Sequence, residues 1–219
     1  FMSSGISEIT LPNQLKKISE YAFWDSELKE IKISKNVTQI GRYAFWNCKK
    51  LEKVTLSPNL KKISQAMFCQ CVKLKTITLP KNITRIENGA FYESGLTNIT
   101  IPKKVTTIEK EVFYHCTSLK KVTFETQKLK TISSSLFEGC KKLKMITLPG
   151  NVAKIEEKAF KESGLTSITI PEKVTSIGNE AFADCRSLKN IVFEGEQVVV
   201  IGSDACKGLP ADCIITVPA

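Results

Sequence analysis

The amino-acid sequence repeats itself every 22 to 24 residues along nearly all of its length. Each copy begins with Leu or Ile in an L-x-x-I-x-L segment, passes through a polar corner that often contains Pro, and reaches a small residue followed by Phe. One copy is too short to bury its own apolar face, so the copies must stack and share a continuous core. The repeat therefore predicts a solenoid. The nine openers are Ile6, Leu28, Leu51, Leu74, Leu96, Leu119, Leu143, Leu165 and Leu188.

The opening segments have the composition and alternation of β-strands. In residues 74–79, polar Thr residues stand between the apolar Leu74, Ile77 and Leu79 in a pattern that enters from a turn and then alternates. The frequent β-branched side chains also favour a pleated surface. We expect a single curved, right-handed β-solenoid of about nine repeats over residues 1–219, with its parallel sheet on the concave face and little helix.

A column of phenylalanines follows the same period and predicts a stacked core. Phe1 is in phase with this column, so residues 1–5 are expected to be the tail of a truncated repeat within a longer array. Cys206 takes the place of the ninth Phe, so residues 206–219 are expected to form a degenerate last repeat. The column consists of Phe23, Phe45, Phe68, Phe91, Phe113, Phe137, Phe160 and Phe182.

The repeats also group in threes. Those opened by Ile6, Leu74 and Leu143 are of one kind, and each is followed by two repeats of recognisably different sequence. The chain is therefore interpreted as three tandem triplets, which suggests growth by duplication of three-repeat blocks.

The consensus L-x-x-I-x-L-P-x-x-V-x-x-I-x-x-x-A-F-x-x-C resembles the BspA-like class of leucine-rich repeat proteins over essentially all 219 residues. The departures are local, with Met67, Val112 and Leu136 in place of the Ala before Phe. The resemblance implies the leucine-rich repeat fold, a place at the cell surface or in the secreted fraction, and a role in adhesion to host proteins or other cells. Ligands of such scaffolds differ widely, so the resemblance does not identify a partner.

The charge balance allows two interpretations. The chain carries 32 Lys and Arg against 22 Asp and Glu, a net charge of +10. Lysine pairs at the corners, such as Lys103 and Lys104, are typical of a solvated, aggregation-resistant surface. The alternative is attraction to polyanions such as sulfated glycans or cell envelopes. Specific nucleic-acid binding is not expected because no recognition module is present, and no segment is predicted to span a membrane.

Most cysteines are predicted to be buried single thiols. Five of them share the position three residues after the Phe with Ser4, Ser26, Ser94 and Ser163, and a site that exchanges Cys for Ser favours a small buried side chain over a disulfide. The spacing excludes a zinc site. Cys69 is expected to be exposed. A disulfide between Cys206 and Cys213 is compatible with the sequence, which does not decide whether it forms. The five shared positions are Cys48, Cys71, Cys116, Cys140 and Cys185.

Catalysis has little support in the sequence. His115 is the single histidine, and its neighbour Cys116 is the one candidate nucleophile with a base beside it. The repeat register directs Cys116 into the core, so no catalytic, metal-binding or cofactor-binding residue is predicted. The chain is expected to be a non-catalytic scaffold that binds macromolecules, a protein or a glycan of unspecified identity. The alternative is a structural spacer within a longer surface protein.

Two surfaces are candidates for the binding site. The first is an aromatic surface formed by the residues that directly follow the Phe column. It consists of Trp24, Trp46, Tyr92 and Tyr114, joined by Tyr21 and Tyr43. The competing interpretation is that these side chains pack over the edge of the core. The second is a threonine column on the outward face of the predicted sheet, which β-propensity and cross-strand pairing also explain; it includes Thr55, Thr78, Thr100 and Thr123, with Asn98 and Lys121 beside it.

Overall fold

The computed structural model describes residues 1–218, which form a parallel β-solenoid of about nine turns with no helix. The predicted fold class is confirmed. Each repeat contributes up to two short strands and one tight corner. In chain order the strands are β1 (Lys17–Ile18), β2 (Glu30–Lys32), β3 (Gln39–Ile40), β4 (Lys53–Thr55), β5 (Lys62–Ile63), β6 (Arg85–Ile86), β7 (Asn98–Ile101), β8 (Thr107–Ile108), β9 (Lys121–Phe124), β10 (Thr131–Ile132), β11 (Lys154–Ile155), β12 (Ser167–Ile170), β13 (Ser176–Ile177), β14 (Asn190–Phe193), β15 (Val200–Ile201) and β16 (Ile214–Thr216).

The L-x-x-I-x-L segments form the first strand ladder, in which all pairs are parallel. Strands β2 and β4 pair, β7 pairs with β9, and β12, β14 and β16 form a three-stranded sheet. The ladder is interrupted at the repeats opened by Ile6, Leu74 and Leu143, which are the first members of the three triplets and carry no strand here. Buried and exposed side chains still alternate in these repeats, since Ile77 is buried and Thr78 is exposed.

The second extended piece of each repeat forms a second ladder of two-residue strands. It runs in three blocks, β1 with β3, then β5, β6 and β8, then β10, β11, β13 and β15. The second residue of these strands is isoleucine throughout, and it is buried in every strand except the last. The two ladders thus supply one apolar wall each to the same core.

The corner around each Phe forms a third ladder of inter-repeat hydrogen bonds. The backbone N–H of Tyr43, Phe45 and Asn47 each donates to a carbonyl of the following repeat, at 2.9 to 3.1 Å. The residues two before and two after the Phe have left-handed backbone conformations, with φ of 57° at Tyr43 and 60° at Asn47. These left-handed residues turn alternate N–H groups toward the next repeat. The corner is therefore held in register by regularly spaced hydrogen bonds, as a strand is.

The core consists of stacked phenylalanines, as predicted. Rings of successive repeats lie with their centroids 5.3 to 5.8 Å apart and their planes within 16° of parallel. These separations lie in the range in which aromatic pairs attract each other. Phe1 stacks on Phe23 at 5.6 Å and continues the column. The ladder rings from Phe23 to Phe182 are at most 2% exposed, so the stack forms the dry centre of the solenoid.

Candidate binding surface

The Phe corner places the predicted aromatic side chains on one face. The N–H of Trp46 donates to the carbonyl of Tyr43 at 3.2 Å, and the same turn joins Trp24 to Tyr21 at 3.1 Å. The Tyr and Trp of one repeat therefore emerge on the same side of the turn, with the buried Phe between them. We call the two resulting rows the aromatic columns, one holding Trp24, Trp46, Tyr92 and Tyr114 and the other Tyr21 and Tyr43.

The aromatic columns are ordered stacks. Trp24 and Trp46 stack with centroids 5.4 Å apart, and Tyr21 and Tyr43 stack at 5.0 Å. The two columns also contact each other, since Tyr43 lies 5.6 Å from Trp46 at a tilt of 50°.

A second stack continues the surface beyond the third repeat. The rings of Tyr92 and Tyr114 stack at 4.6 Å, and Tyr114 contacts the His115 imidazole at 4.4 Å. All six members of the aromatic columns are partly exposed, so the core does not cover them. Stacking on a neighbouring ring also restricts their motion.

Cys69, which was expected to be exposed, is buried with 8% exposure. The indole of Trp46 lies next to the thiol, and burial raises the pKa of Cys69 to about 12. The prediction was wrong because it treated each surface position by itself, whereas a small side chain between large neighbours is covered by them. Cys206 is exposed and Cys213 partly exposed, and both carry free thiols in this structure.

Negative charge surrounds the second half of the aromatic columns. Burial and then the carboxylate of Glu93 raise the pKa of Tyr92 to about 12. Burial also raises the pKa of the Tyr114 hydroxyl, with additional contributions from four carboxylates. These four are Glu138, Glu162, Glu111 and Glu93.

These carboxylates form few direct ion pairs, although Glu138 and Glu162 are close enough to Lys161 to help raise its pKa. Among residues 1–218, Glu93, Glu138 and Glu162 form no ion pair, and Glu111 has a single one, with Lys110 at 4.0 Å. The Glu93 carboxylate accepts a hydrogen bond from Gln70 at 3.0 Å. A chain with a net charge of +10 thus has a locally acidic aromatic face.

The threonine column lies on the first strand ladder and faces solvent. Thr100 and Thr123 are register partners in β7 and β9, as are Asn98 and Lys121. Thr55 lies in β4, whereas Thr78 falls in the interrupted repeat and belongs to no strand. The column is therefore exposed as predicted, but it is not one continuous strand surface.

The lysine pairs also face solvent. Lys103 and Lys104 are exposed, and Lys104 donates to the Asn82 side chain at 2.8 Å. Other basic residues pair with a carboxylate of an adjacent repeat, as Lys62 does with Glu87 at 2.8 Å. Such exposed pairs contribute little to stability, and the lysines outside them, such as Lys103, are the ones free to meet a ligand.

The structure separates the one Cys–His neighbour pair. Cys116 is fully buried and its thiol donates to the carbonyl of Phe91 at 3.0 Å, while His115 lies at the surface against Tyr114. The thiol is thus directed into the core. Over residues 1–218 no group of three or more potential ligands could hold a metal ion. The same residues include no helix of the length and apolarity that a membrane span requires.

The sequence shows Cys69 as a gap in the first aromatic column, but sequence reasoning missed that the second column ends beside it. At the third repeat both columns hold small residues, Ala66 and Cys69, instead of rings. Aligning the position two before each Phe would have shown the change from Tyr21 and Tyr43 to Ala66 and Gly89. The acidic neighbours were missed because they come from several repeats.

The stacked repeats and their exchangeable surface residues define a leucine-rich repeat scaffold. The chain belongs to the BspA-type leucine-rich repeat family, because the family model of the BspA type leucine rich repeat region, with six copies, matches residues 1–120 and 106–216. No curated protein matches the chain.

Solved structures of leucine-rich repeat proteins resemble this one. A protein from Bacteroides ovatus is 32% identical with a TM-score of 0.69, over 84% of this chain and 54% of that one. A protein from Eubacterium ventriosum is 26% identical with a TM-score of 0.71, over 91% and 63% respectively. The pneumococcal vaccine antigen PcpA shares the fold, at 22% identity and a TM-score of 0.54, over 91% and 62%. The chain thus spans less than two thirds of each of these proteins.

Proposed function

We propose that the chain is a non-catalytic binding module of a cell-surface or secreted protein, and that it binds a macromolecular partner through the aromatic columns. The observation that carries the proposal is the ordered stacking of partly exposed rings, with Trp24 on Trp46 at 5.4 Å and Tyr92 on Tyr114 at 4.6 Å. Aromatic side chains bury large areas with few rotatable bonds and dominate the energetics of interfaces. The surface location is proposed from the family resemblance.

Pre-organisation supports this assignment over the threonine column. The aromatic rings are held by a hydrogen-bonded corner and by each other, so little side-chain entropy is lost when a partner covers them. The threonine column offers short side chains, and its strand ladder is interrupted at Thr78.

The test is a binding assay on purified protein against a panel of extracellular-matrix proteins and glycans. The double variant Trp24→Ala and Trp46→Ala should weaken binding at least tenfold, which corresponds to about 1.4 kcal/mol. The matched control on the other face is Thr78→Arg with Thr100→Arg, which should bind like the unmodified chain. A urea titration of each variant shows whether the solenoid is intact.

The opposite pattern would contradict the aromatic columns as the binding site. If only the threonine variant loses binding, the strand face is the site.

A second candidate function is polyanion binding through the lysines. The observation that favours it is that corner lysines such as Lys103 are exposed and take part in no ion pair with residues 1–218. Such binding would survive the tryptophan changes and collapse with added salt, because exposed charges are screened. A chain that binds nothing on the panel under either condition would instead be a structural spacer.

A further inference from the structure

A notch lies at the third repeat, where the column of Tyr21 and Tyr43 ends and the column of Trp24, Trp46, Tyr92 and Tyr114 has a gap. Ala66 and Cys69 stand where the preceding repeat has Tyr43 and Trp46, and both small side chains are only 8% exposed. The resulting depression has a volume of about 210 Å³, and its lining includes Tyr43 on one side, Tyr92 on the other, and Ala66 and Cys69 between them. We call this depression the notch.

The spacing of the repeats gives the notch the width of one missing ring. Phe68 of the third repeat lies 5.5 Å from Phe45 and 5.6 Å from Phe91, measured between ring centroids. Tyr43 and Tyr92 belong to the repeats of Phe45 and Phe91, so they are two such steps apart along the solenoid, and they lie in different aromatic columns. A planar group in the notch can therefore stack on one of these rings within the favourable range of about 4.5 to 7 Å, with the other ring bordering it from the neighbouring column.

Carboxylates determine the charge of the group that fits. Glu111 lines the notch, and Glu93 is close enough to both Cys69 and Tyr92 to affect their pKa values. The one ion pair between these carboxylates and a base of residues 1–218 is the 4.0 Å contact of Glu111 with Lys110. The local field therefore favours a cation, although the chain as a whole is basic.

The nearby basic side chains are already engaged. Lys62 pairs with Glu87 at 2.8 Å, and Arg85 pairs with Glu109 at 2.7 Å. The second oxygens of these carboxylates accept the backbone N–H of Gln65 at 3.1 Å and of Asn88 at 3.0 Å, respectively. These bonds fix the residues just before Ala66 and Gly89, so the notch is held by the corner ladder.

We propose that the notch receives an arginine side chain of the partner protein, with the guanidinium between Tyr43 and Tyr92 and its charge opposite Glu93 and Glu111. The inference rests on the proposed function and specifies the partner as a protein. A guanidinium is planar, permanently charged and weakly hydrated, and it stacks on aromatic faces. A lysine ammonium has the charge without the plane, and a sugar ring can pack on an aromatic face but carries no charge.

The probe is the blocked peptide acetyl-Gly-Ser-Arg-Ser-Gly-amide, titrated into the chain and followed by NMR. The backbone amide signals of Ala66, Cys69 and Gly89 should shift and saturate together. The same peptide with citrulline, which keeps the shape and loses the charge, should bind at least tenfold more weakly. The lysine peptide should also bind more weakly than the arginine peptide, by several-fold.

Two variants test the geometry and the charge separately. Ala66→Tyr fills the notch with the residue found at this position in two other repeats, where Tyr21 and Tyr43 have the same left-handed φ of 56° and 57°. It should reduce peptide affinity at least tenfold. Its control is Ser135→Tyr, which adds a tyrosine to the same column three repeats further on and should leave affinity unchanged.

The charge variant is Glu111→Gln, which keeps the size of the side chain. It should weaken the arginine peptide several-fold and leave the citrulline peptide unaffected. Its control is Glu194→Gln, an exposed carboxylate near the other end of the chain.

The inference is overturned if citrulline and arginine peptides bind equally, if Ala66→Tyr binds like the unmodified chain, or if methyl glucoside shifts the notch signals and the arginine peptide does not. These results are independent of the tryptophan variants. If the arginine peptide binds at the notch but the double variant Trp24→Ala and Trp46→Ala still binds the partner like the unmodified chain, only the proposed function is refuted. If the double variant loses partner binding but the arginine peptide does not bind the unmodified chain, only the proposal of an arginine in the notch is refuted.

Discussion

The thiol of Cys116 donates a hydrogen bond to the backbone carbonyl of Phe91, one repeat earlier, at 3.0 Å. Where the preceding repeat carries Ser, as at Ser94, the hydroxyl lies 3.4 Å from the same sulfur. The column of small residues is thus a hydrogen-bonded seam beside the phenylalanine stack. The same bond from thiol to Phe carbonyl joins Cys48 to Phe23, Cys71 to Phe45, Cys140 to Phe113 and Cys185 to Phe160.

The ring of Phe91 should contribute far more to stability than the thiol of Cys116. Phe91→Ala should lower the free energy of unfolding by about 3 to 5 kcal/mol, because rings stacked on both sides prevent the cavity from collapsing. Cys116→Ser should cost about 1 kcal/mol or less, since Ser can make the same bond to the Phe91 carbonyl. A urea titration of both variants measures the difference. Similar losses would show that the seam holds the repeats together as strongly as the stack.

Gly139 should resist substitution by alanine. Its φ is +70°, and an added Cβ would lie 2.6 Å from the His115 ring. The left-handed backbone alone should cost about 1 to 2 kcal/mol for a residue with a Cβ. Gly150→Ala is the control, because Gly150 has open space around it and should change stability by less than about 0.5 kcal/mol. Adding His115→Ala to Gly139→Ala should restore the part of the loss due to the contact, as thermal melts of the series would show.

Two of the eight cysteines should react with thiol reagents in the folded protein. Cys206 is exposed and Cys213 is partly exposed, whereas the other six are buried. The thiolate is the reactive species. Burial also raises the pKa of Cys206 and Cys213, but the six buried thiols are in addition shielded from the reagent, and the pKa reaches about 12 at Cys116. Labelling with iodoacetamide at pH 8, mapped by mass spectrometry, should modify Cys206 and Cys213 first and the rest after unfolding. Labelling of Cys69 as fast as Cys206 would argue against its burial under Trp46.

Stability should fall as the solution becomes alkaline. Burial raises the pKa of Cys71 and Cys140 well above the usual value and that of Cys116 to about 12. An unfolded thiol titrates near pH 8.5, so above that pH the unfolded chain binds fewer protons than the native one, and the free energy of unfolding decreases with pH. Each such thiol should contribute up to about 1.4 kcal/mol per pH unit between its unfolded and folded pKa values.

Urea titrations at pH 7, 8, 9 and 10 measure this alkaline slope. Cys116→Ser should make the slope shallower, because the serine hydroxyl does not titrate in this range. A slope identical in the two proteins would mean that the buried thiol does not titrate upon unfolding.

The candidate surface was only partly predictable. The positions of Trp24, Trp46, Tyr92 and Tyr114 follow from the period, because every repeat presents the same slot to the same side. The burial of Cys69 does not follow from it, since that depends on how the large indole of Trp46 lies over a small neighbour. The binding roles of these residues remain predictions.

What the sequence determined by itself was the solenoid, the alternation of buried and exposed positions, the stacked column from Phe23 to Phe182 and the buried seam of Cys and Ser. A periodic sequence fixes these because each repeat has the preceding and following copies as its neighbours, and like residues must meet. The tertiary structure alone decided where the strand ladders break and how the side chains around Ala66 shape the notch. It also decided that Glu93, Glu111, Glu138 and Glu162 all lie close enough to Tyr114 to raise its pKa. Those features depend on contacts between unlike side chains of different repeats, and no period specifies such contacts.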